Sequence, residues 1–214
     1  MTRFFLLIGF AVILAACNSS DSHGTGNRTH SGHSVSADSA GNGDSGQLAA
    51  LHNAMVQMNR QMETMTLTGD ADHDFAMLMM HHHKAAIDMA RAELAGGSDE
   101  TLKQMARNIL NDQQKEIDQF NEFLQDHPHG NKSDYGEKAK GMMSKMDSMQ
   151  MHSSSVDATF ARMMIPHHQD AIIMSEQYIK VGKSKELVSI AKNIVAMQQK
   201  EIKELENWLN KNQK

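Results

Sequence analysis

Asp72–Leu124 recurs without a gap as Asp157–Leu209, each residue n of the first stretch lying over residue n + 85 of the second. The register sets Phe75 over Phe160, Met79 over Met164, His82-His83 over His167-His168, Ala86-Ile87 over Ala171-Ile172 and Met89 over Met174. It continues with Asn108-Ile109 over Asn193-Ile194, and with Gln113-Gln114-Lys115-Glu116-Ile117 over Gln198-Gln199-Lys200-Glu201-Ile202. A gapless match of this length means two copies of one structural unit. Upstream, Met58, Met62 and Met65 pair with Met142, Met146 and Met149 once one residue is allowed in the connection.

Each copy reads as three helical pieces. Leu51, Met55, Met58, Met62 and Met65 fall at alternating steps of four and three, a narrow apolar seam that predicts a helix over 51–66, with a counterpart over 134–151. A second helix runs from an Asp72 cap to the Gly96-Gly97 stop, matched by Asp157 to Gly182. The third takes Ser98 or Ser184 as its cap and ends before Pro128 or at the C-terminus. Two long helices per copy, joined by short turns, predict an all-α four-helix bundle with short additional methionine-rich helices. Copy one spans 47–126 and copy two 134–212 of a bundle over 47–214. With only two prolines in the chain, good helix formers run long. One of the two, Pro166, stands where the first copy has His81. It predicts a kink just before His167 that frees the carbonyl of Arg162 and leaves the copies similar but not equivalent.

The chain before the bundle has a different character. Arg3 precedes the apolar run Phe4–Ala16, too short to span a membrane and suited to a secretory signal over 1–17. Leu14-Ala15-Ala16-Cys17 resembles the lipobox of bacterial lipoproteins, which makes Cys17, the single cysteine, the lipidated first residue of the mature chain. The expected location is therefore extracytoplasmic, in the periplasm or cell envelope, tethered to a membrane surface by lipid. Residues 18–46 are Ser, Gly, Asn, Asp and His with almost nothing apolar, a flexible tether carrying His23, His30 and His33. The net charge of −5, with basic and acidic residues interleaved, gives nucleic-acid binding no support.

At about 100° per residue, His83 falls within the apolar stripe of its helix, between Met79, Ile87, Ala90 and Leu94. His82 flanks it beside Phe75 and Met89, and His81 falls nearly opposite, facing solvent. In the second copy His168 lies amid Met164, Ile172, Ser175 and Ile179, with His167 beside Phe160 and Met174. On the third helices Gln113 and Gln198 share the apolar stripe while Glu116 and Glu201 flank it. Buried polar groups need partners, and facing histidines are the available ones. A metal-free polar network that fixes bundle register would use the same residues. Duplication of the pairs and their bracketing by methionine favour a metal site instead. Thioether sulfur and imidazole together suit Cu(I), with other soft or borderline metals as lesser candidates.

With 19 methionines and only 5% aromatics, methionine carries much of the apolar work. Met55, Met58, Met62 and Met65 in one copy, and Met142, Met146, Met149 and Met151 in the other, serve equally as adaptable core filler or as accessory Cu(I) ligands with His52 or His152 nearby. His127 and His129, around Pro128, carry only a weak signal.

Two copies of a Met-x-x-His-His-x-x-Ala-Ile-x-Met helix, each followed by a Gln-Gln-Lys-Glu-Ile helix, resemble the bacterial domain-of-unknown-function 305 family over Leu51 to Trp208. The resemblance implies a ferritin-like fold and a link to copper in methionine- and histidine-rich extracytoplasmic members. Carried onto this chain, it points to Met79, His82, His83, Met89, Gln113 and Glu116, and to Met164, His167, His168, Met174, Gln198 and Glu201. The expected function is a lipid-anchored metal-binding protein, not an enzyme, that holds Cu(I) for sequestration, transfer or tolerance and works with copper-handling proteins. Two alternatives stay open. A ferritin-like dimetal oxidoreductase would need a glutamate from each of two helices and a Glu-x-x-His from each of two others, a pattern short of carboxylates here. A metal-free helical envelope module would use methionine as a pliable docking surface.

Overall fold

The computed structural model describes residues 41–128, 130, 132–143 and 155–212. Six helices occur among them: α1 (Gly41–Thr64), α2 (Ala71–Gly96), α3 (Glu100–Asp126), α4 (Tyr135–Met143), α5 (Val156–Val181) and α6 (Lys185–Asn212). No strand occurs among the described residues, only an isolated bridge between Asp70 and Lys132. Cys17, the signal segment, His23, His30, His33, His129, Met146, Met149, Met151 and His152 lie outside the described residues.

The duplicated bundle forms as its periodicity predicts. α2 and α3 make one antiparallel hairpin, α5 and α6 make the other, and α2 packs on α5 across the duplication. α3 and α6 meet only sparsely. α1 begins at Gly41, ahead of the Gly46 boundary read for the tether, and at 24 residues it is nearly as long as the bundle helices. It lies along α2 and also reaches α5, so it is a fifth bundle member and no short addition. α5 runs unbroken through Pro166, which sits buried inside it. Packing on both sides keeps the helix continuous where the local backbone preference disfavours it.

The caps differ from expectation for one shared reason. Asp70 caps α2, its Oδ1 accepting from the backbone N–H of Asp72 at 2.8 Å and of His73 at 3.2 Å. Its Oδ2 accepts from Gly130 N–H at 2.6 Å, which ties down the connection between the copies. Asp99 caps α3 in place of Ser98, and Ser155 caps α5 in place of Asp157. Ser184 holds its expected place, its hydroxyl accepting from Leu187 N–H at 3.2 Å. Asp72 and Asp157 are withdrawn from capping because each reaches across to the other copy. Asp157 accepts from Ser98 N–H and Asp99 N–H at 2.9 Å and from the Ser98 hydroxyl at 2.7 Å. Asp72 accepts from Lys183 N–H at 2.9 Å, Ser184 N–H at 3.1 Å and the Tyr178 hydroxyl. In the repeat register these are the same contacts, so two equivalent clamps hold α2 antiparallel to α5.

Apolar side chains gather in two clusters along this pair. One holds Phe75, Met79, Phe120, Tyr135, Met174 and Tyr178, with Phe75 stacked on Tyr178 at 4.0 Å between ring centroids. The other holds Leu51, Met89, Ile109, Phe160, Met164 and Leu205. On α2 the histidine pair falls between Met79 of the first cluster and Met89 of the second. On α5 it falls between Met164 of the second and Met174 of the first.

Candidate metal centre

His82, His83, His167 and His168 are all fully buried, each 0% exposed. The expectation of one inward and one flanking histidine per helix is therefore corrected. α2 is covered by α1, α3 and α5 at once, so the flank that would face solvent on a two-neighbour helix faces another helix. His81 is corrected for the same reason. It is half-buried under α1, where its Nδ1 lies 2.9 Å from Oε1 of Gln61.

The two copies meet at His82 and His167, whose rings are 3.7 Å apart at centroid with a 38° tilt. Nε2 of His167 lies 3.1 Å from the backbone carbonyl of His82. As the carbonyl can only accept, that nitrogen carries the proton, and Nδ1 of His167 keeps its lone pair. Burial, then the neighbouring histidine charges, holds both His82 and His167 well below the ordinary imidazole range. Both rings are therefore neutral at physiological pH, the form in which imidazole binds a metal.

Each outer histidine meets the glutamate of its own hairpin. His83 Nε2 lies 2.7 Å from Glu116 Oε2, and His168 Nε2 lies 2.9 Å from Glu201 Oε2. In both cases the oxygen is out of line with the ring N–H, so the contact is close without being an aligned hydrogen bond. Seven of the eight nitrogens in the four buried rings thus have no aligned hydrogen-bond partner in the protein, His167 Nε2 being the exception. Gln113 and Gln198 do not supply the expected partners, because the Oε1 atom of each is also buried and unpaired. Such groups cost about 1–3 kcal/mol each when left unmade. So dense a cluster of buried nitrogen donors suits a soft or borderline metal, and the residues present fit one.

Met79, Met89 and Met164 are 0% exposed and Met174 is 1% exposed. Their clusters pair Met79 with Met174 and Met89 with Met164, so each end of the histidine group carries a methionine from both copies. Met58 and Met62 are buried in the Met79 cluster, with Met55 and Met65 half-buried against it. His52 is exposed on the other face of α1 and is not brought to this seam. Met142 accepts a hydrogen bond from Gln177 Nε2 at 3.1 Å. Among the described residues no three His, Cys, Asp or Glu side chains converge as a ready ligand set. Any soft site here therefore draws on methionine or amide donors as well.

The sequence profile described as "Domain of unknown function (DUF305)" matches residues 16–124 and again 125–209. The chain belongs to the DUF305 family. The two DUF305 matches fall one on each copy of the repeat. Similar solved structures include a candidate secreted DUF305 protein of Streptomyces coelicolor, 18% identical, covering 68% of this chain and 95% of that one with a TM-score of 0.55. They also include CopM in its Ag-bound form, 29% identical over 66% of this chain and 96% of that one with a TM-score of 0.52. CopM in its Cu(I)-bound form is 28% identical over 65% and 96%, with a TM-score of 0.51. No match was found among curated protein sequences.

Sequence reasoning missed Glu93, Tyr178 and Asp74. Glu93 and Tyr178 occupy equivalent positions in the repeat and lie beside the clamps of Asp157 and Asp72. Asp74 closes the α1–α2 turn, accepting from Thr68 N–H at 2.7 Å, its hydroxyl at 2.8 Å and Gly69 N–H at 3.1 Å. In the repeat register Glu93 over Tyr178 is one unlike pair among many, such as Arg91 over Glu176 and Ala95 over Lys180, so nothing local singled out either residue.

Proposed function

We propose that this DUF305 chain is an extracytoplasmic, lipid-anchored metal-binding protein that holds Cu(I) through histidine and methionine in its bundle core, for copper sequestration, transfer or tolerance. The observation that carries the reading is the group of four fully buried histidines at the meeting of the two copies, five of whose eight ring nitrogens have neither a hydrogen bond nor a carboxylate contact. Copper would supply the soft acid that neutral imidazole and thioether match. The chain's own residues do the rest: burial keeps His82 and His167 neutral, and the His82 carbonyl orients His167. The methionines of both copies keep either end apolar. The likeness to CopM, solved with Ag and with Cu(I), supports copper over a hard cation.

The same proposal extends to the anchor and to the exchange of metal. Cys17 anchors the chain to a membrane surface and copper-handling proteins exchange metal with it. Among the described residues no helix is long and apolar enough to cross a membrane, which is compatible with a lipid anchor. Met55, Met58, Met62, Met65 and Met142 extend the soft donor supply along α1 and α4.

Metal analysis of the purified chain after exposure to Cu(I), Cu(II), Zn(II) and Fe(II), with His82→Ala/His167→Ala in parallel, tests this. Cu(I) retention that falls at least tenfold in the double variant is expected. No retention, or retention unaffected by the substitutions, overturns the core site. An oxo-bridged di-iron optical spectrum after Fe(II) and oxygen would favour the dimetal oxidoreductase instead.

A further inference from the structure

We propose that the cleft between the start of α3 and the end of α6 is a binding site for a neutral oligosaccharide, with Trp208 as the platform for a sugar face and Asp99, Asn108 and Asn207 as partners for its hydroxyl groups.

α3 and α6 meet only sparsely, and the space left between residues 99–108 and 204–212 is a cavity of about 810 Å³. Small-molecule sites run from about 300 to 1,000 Å³. Trp208, the chain's single tryptophan, packs on the cluster that holds Leu51 and Met89 and also lines this cavity. In the repeat register it stands over Phe123, and the two rings are covered differently. Phe123 is 3% exposed, sealed by the imidazole of His127 stacked on it at 4.1 Å between centroids. The residue in register with His127 is Asn212, which has no ring to offer, and its side-chain amide donates to the Trp208 carbonyl at 2.9 Å instead. Trp208 is therefore left half-buried in the wall of the cavity.

The polar lining selects the class of ligand. Gln104, Asn108 and Asn207 carry carboxamides, each both donor and acceptor, as a sugar hydroxyl is. Asn108 accepts from Gln104 Nε2 at 3.1 Å, which leaves its own amide N–H groups for a ligand. Asp99 adds a carboxylate. Burial pushes its carboxyl up, but the Trp208 indole and the backbone N–H groups of Leu102 and Thr101 hold it below the usual carboxylate value, so it is ionised beside the ring. An anion is opposed by Asp99 and Glu204, against which the lining sets only Lys211. A wholly apolar ligand would cover the carboxamides without pairing them, which opposes binding. A sugar ring meets both demands, with C–H faces for the indole and hydroxyl groups around its edge for the amides and the carboxylate.

Trp208 is its own reporter, because the chain has no other indole to fluoresce. Chitotriose and maltotriose titrated separately into the purified full-length chain, followed by tryptophan emission and by calorimetry, test the proposal. A saturable change in emission, matched by heat of binding, is expected for at least one of the trisaccharides. Trp208→Ala should weaken that binding about tenfold by calorimetry, as loss of an aromatic platform does. Asn108→Ala and Asn207→Ala should each weaken it about threefold to tenfold. Both asparagines are exposed, so these variants carry the test if thermal melts show that Trp208→Ala does not fold. Binding of neither trisaccharide overturns the site, as does binding that Trp208→Ala or Asn108→Ala/Asn207→Ala leaves at wild-type strength.

Discussion

Glu93 faces Asp157 at the end of α2 as Tyr178 faces Asp72 at the end of α5, so one clamp is completed by a carboxyl group and its equivalent by a phenol. Neither Glu93 carboxyl oxygen has a hydrogen-bond partner, and an ionised carboxylate buried beside that of Asp157 is disfavoured, so the proton resides on Glu93. Burial, reinforced by Asp157, pushes the Glu93 carboxyl up to about 8. Burial acts against Asp157 too, but hydrogen bonds from Ser98 and Asp99 hold its carboxyl below the usual carboxylate value. The folded chain therefore keeps on Glu93 a proton that the unfolded chain releases near 4.5. The folded pKa is the higher one, so this stability is full below about pH 4.5 and declines as pH rises to about 8. At roughly 1.4 kcal/mol per unit, the change is on the order of a few kcal/mol. Glu93→Gln keeps a neutral donor and should flatten the decline, melting above wild type at pH 8 and close to it at pH 5. Tyr178→Phe should cost about 1 kcal/mol equally at both pH values. Parallel melting curves for Glu93→Gln and wild type across pH 5 to 8 would refute the buried proton on Glu93.

The glycine after each of these helices is needed for space. Gly97 and Gly182 have φ of −67° and −62°, which any residue adopts. A Cβ at Gly97 would collide with the Glu93 carboxyl, and one at Gly182 with the Tyr178 ring. Gly97→Ala and Gly182→Ala should each destabilise the fold by about 1–3 kcal/mol in chemical denaturation, the usual cost of overpacking. Gly97→Ala placed in a Glu93→Ala background should cost less than it does alone, while the approach of the Cβ to the Glu93 backbone oxygen at 2.7 Å remains. A strictly additive double-mutant cycle would show that the collision is not the cause.

The repeat at n + 85 made the bundle legible, because Phe75/Phe160 and His82-His83/His167-His168 fix both the unit and its duplication. It could not show which faces of α2 are covered, since a periodicity counts one apolar stripe and α2 is packed by α1, α3, α4 and α5. His82 and His81 were placed too near solvent for that reason. Asp72 and Asp157 looked like caps because their positions at helix starts fit that role, but a contact 111 residues away, as between Asp72 and Lys183, leaves no local trace. Glu116 and Glu201 were placed at the flank of the apolar stripe and lie there, 14% exposed beside His83 and His168, whereas Gln113 and Gln198 were assigned histidine partners that their unpaired oxygens do not have.

Burying His82 and His167 side by side weakens the apo fold. His82→Leu/His167→Leu removes two desolvated rings and substitutes side chains of similar volume, so the metal-free double variant should melt at or above wild type, by up to about 3 kcal/mol in stability. The same variant should lose the stabilisation that wild type gains from Ag(I), read as the shift in melting temperature with added metal. A double variant that melts far below wild type without metal would mean that the rings hold the core by contacts of their own. The polar-network reading would then be the better one.

Met58 and Met62 separate packing from ligation on the α1 seam. Both are buried, at 2% and 3% exposed, in the cluster that holds Met79 and Met174. Leucine has nearly the same volume, and such swaps cost less than about 1.5 kcal/mol in well-packed cores. Met58→Leu/Met62→Leu should therefore keep the fold and its melting temperature within a few degrees. Thioether sulfur is the only chemistry the substitution removes, so a lower Cu(I) capacity at equilibrium dialysis, with the melting temperature unchanged, would assign these sulfurs as ligands. Full capacity with an unchanged fold would return α1 to the role of adaptable filler and confine soft-metal binding to the α2–α5 pair.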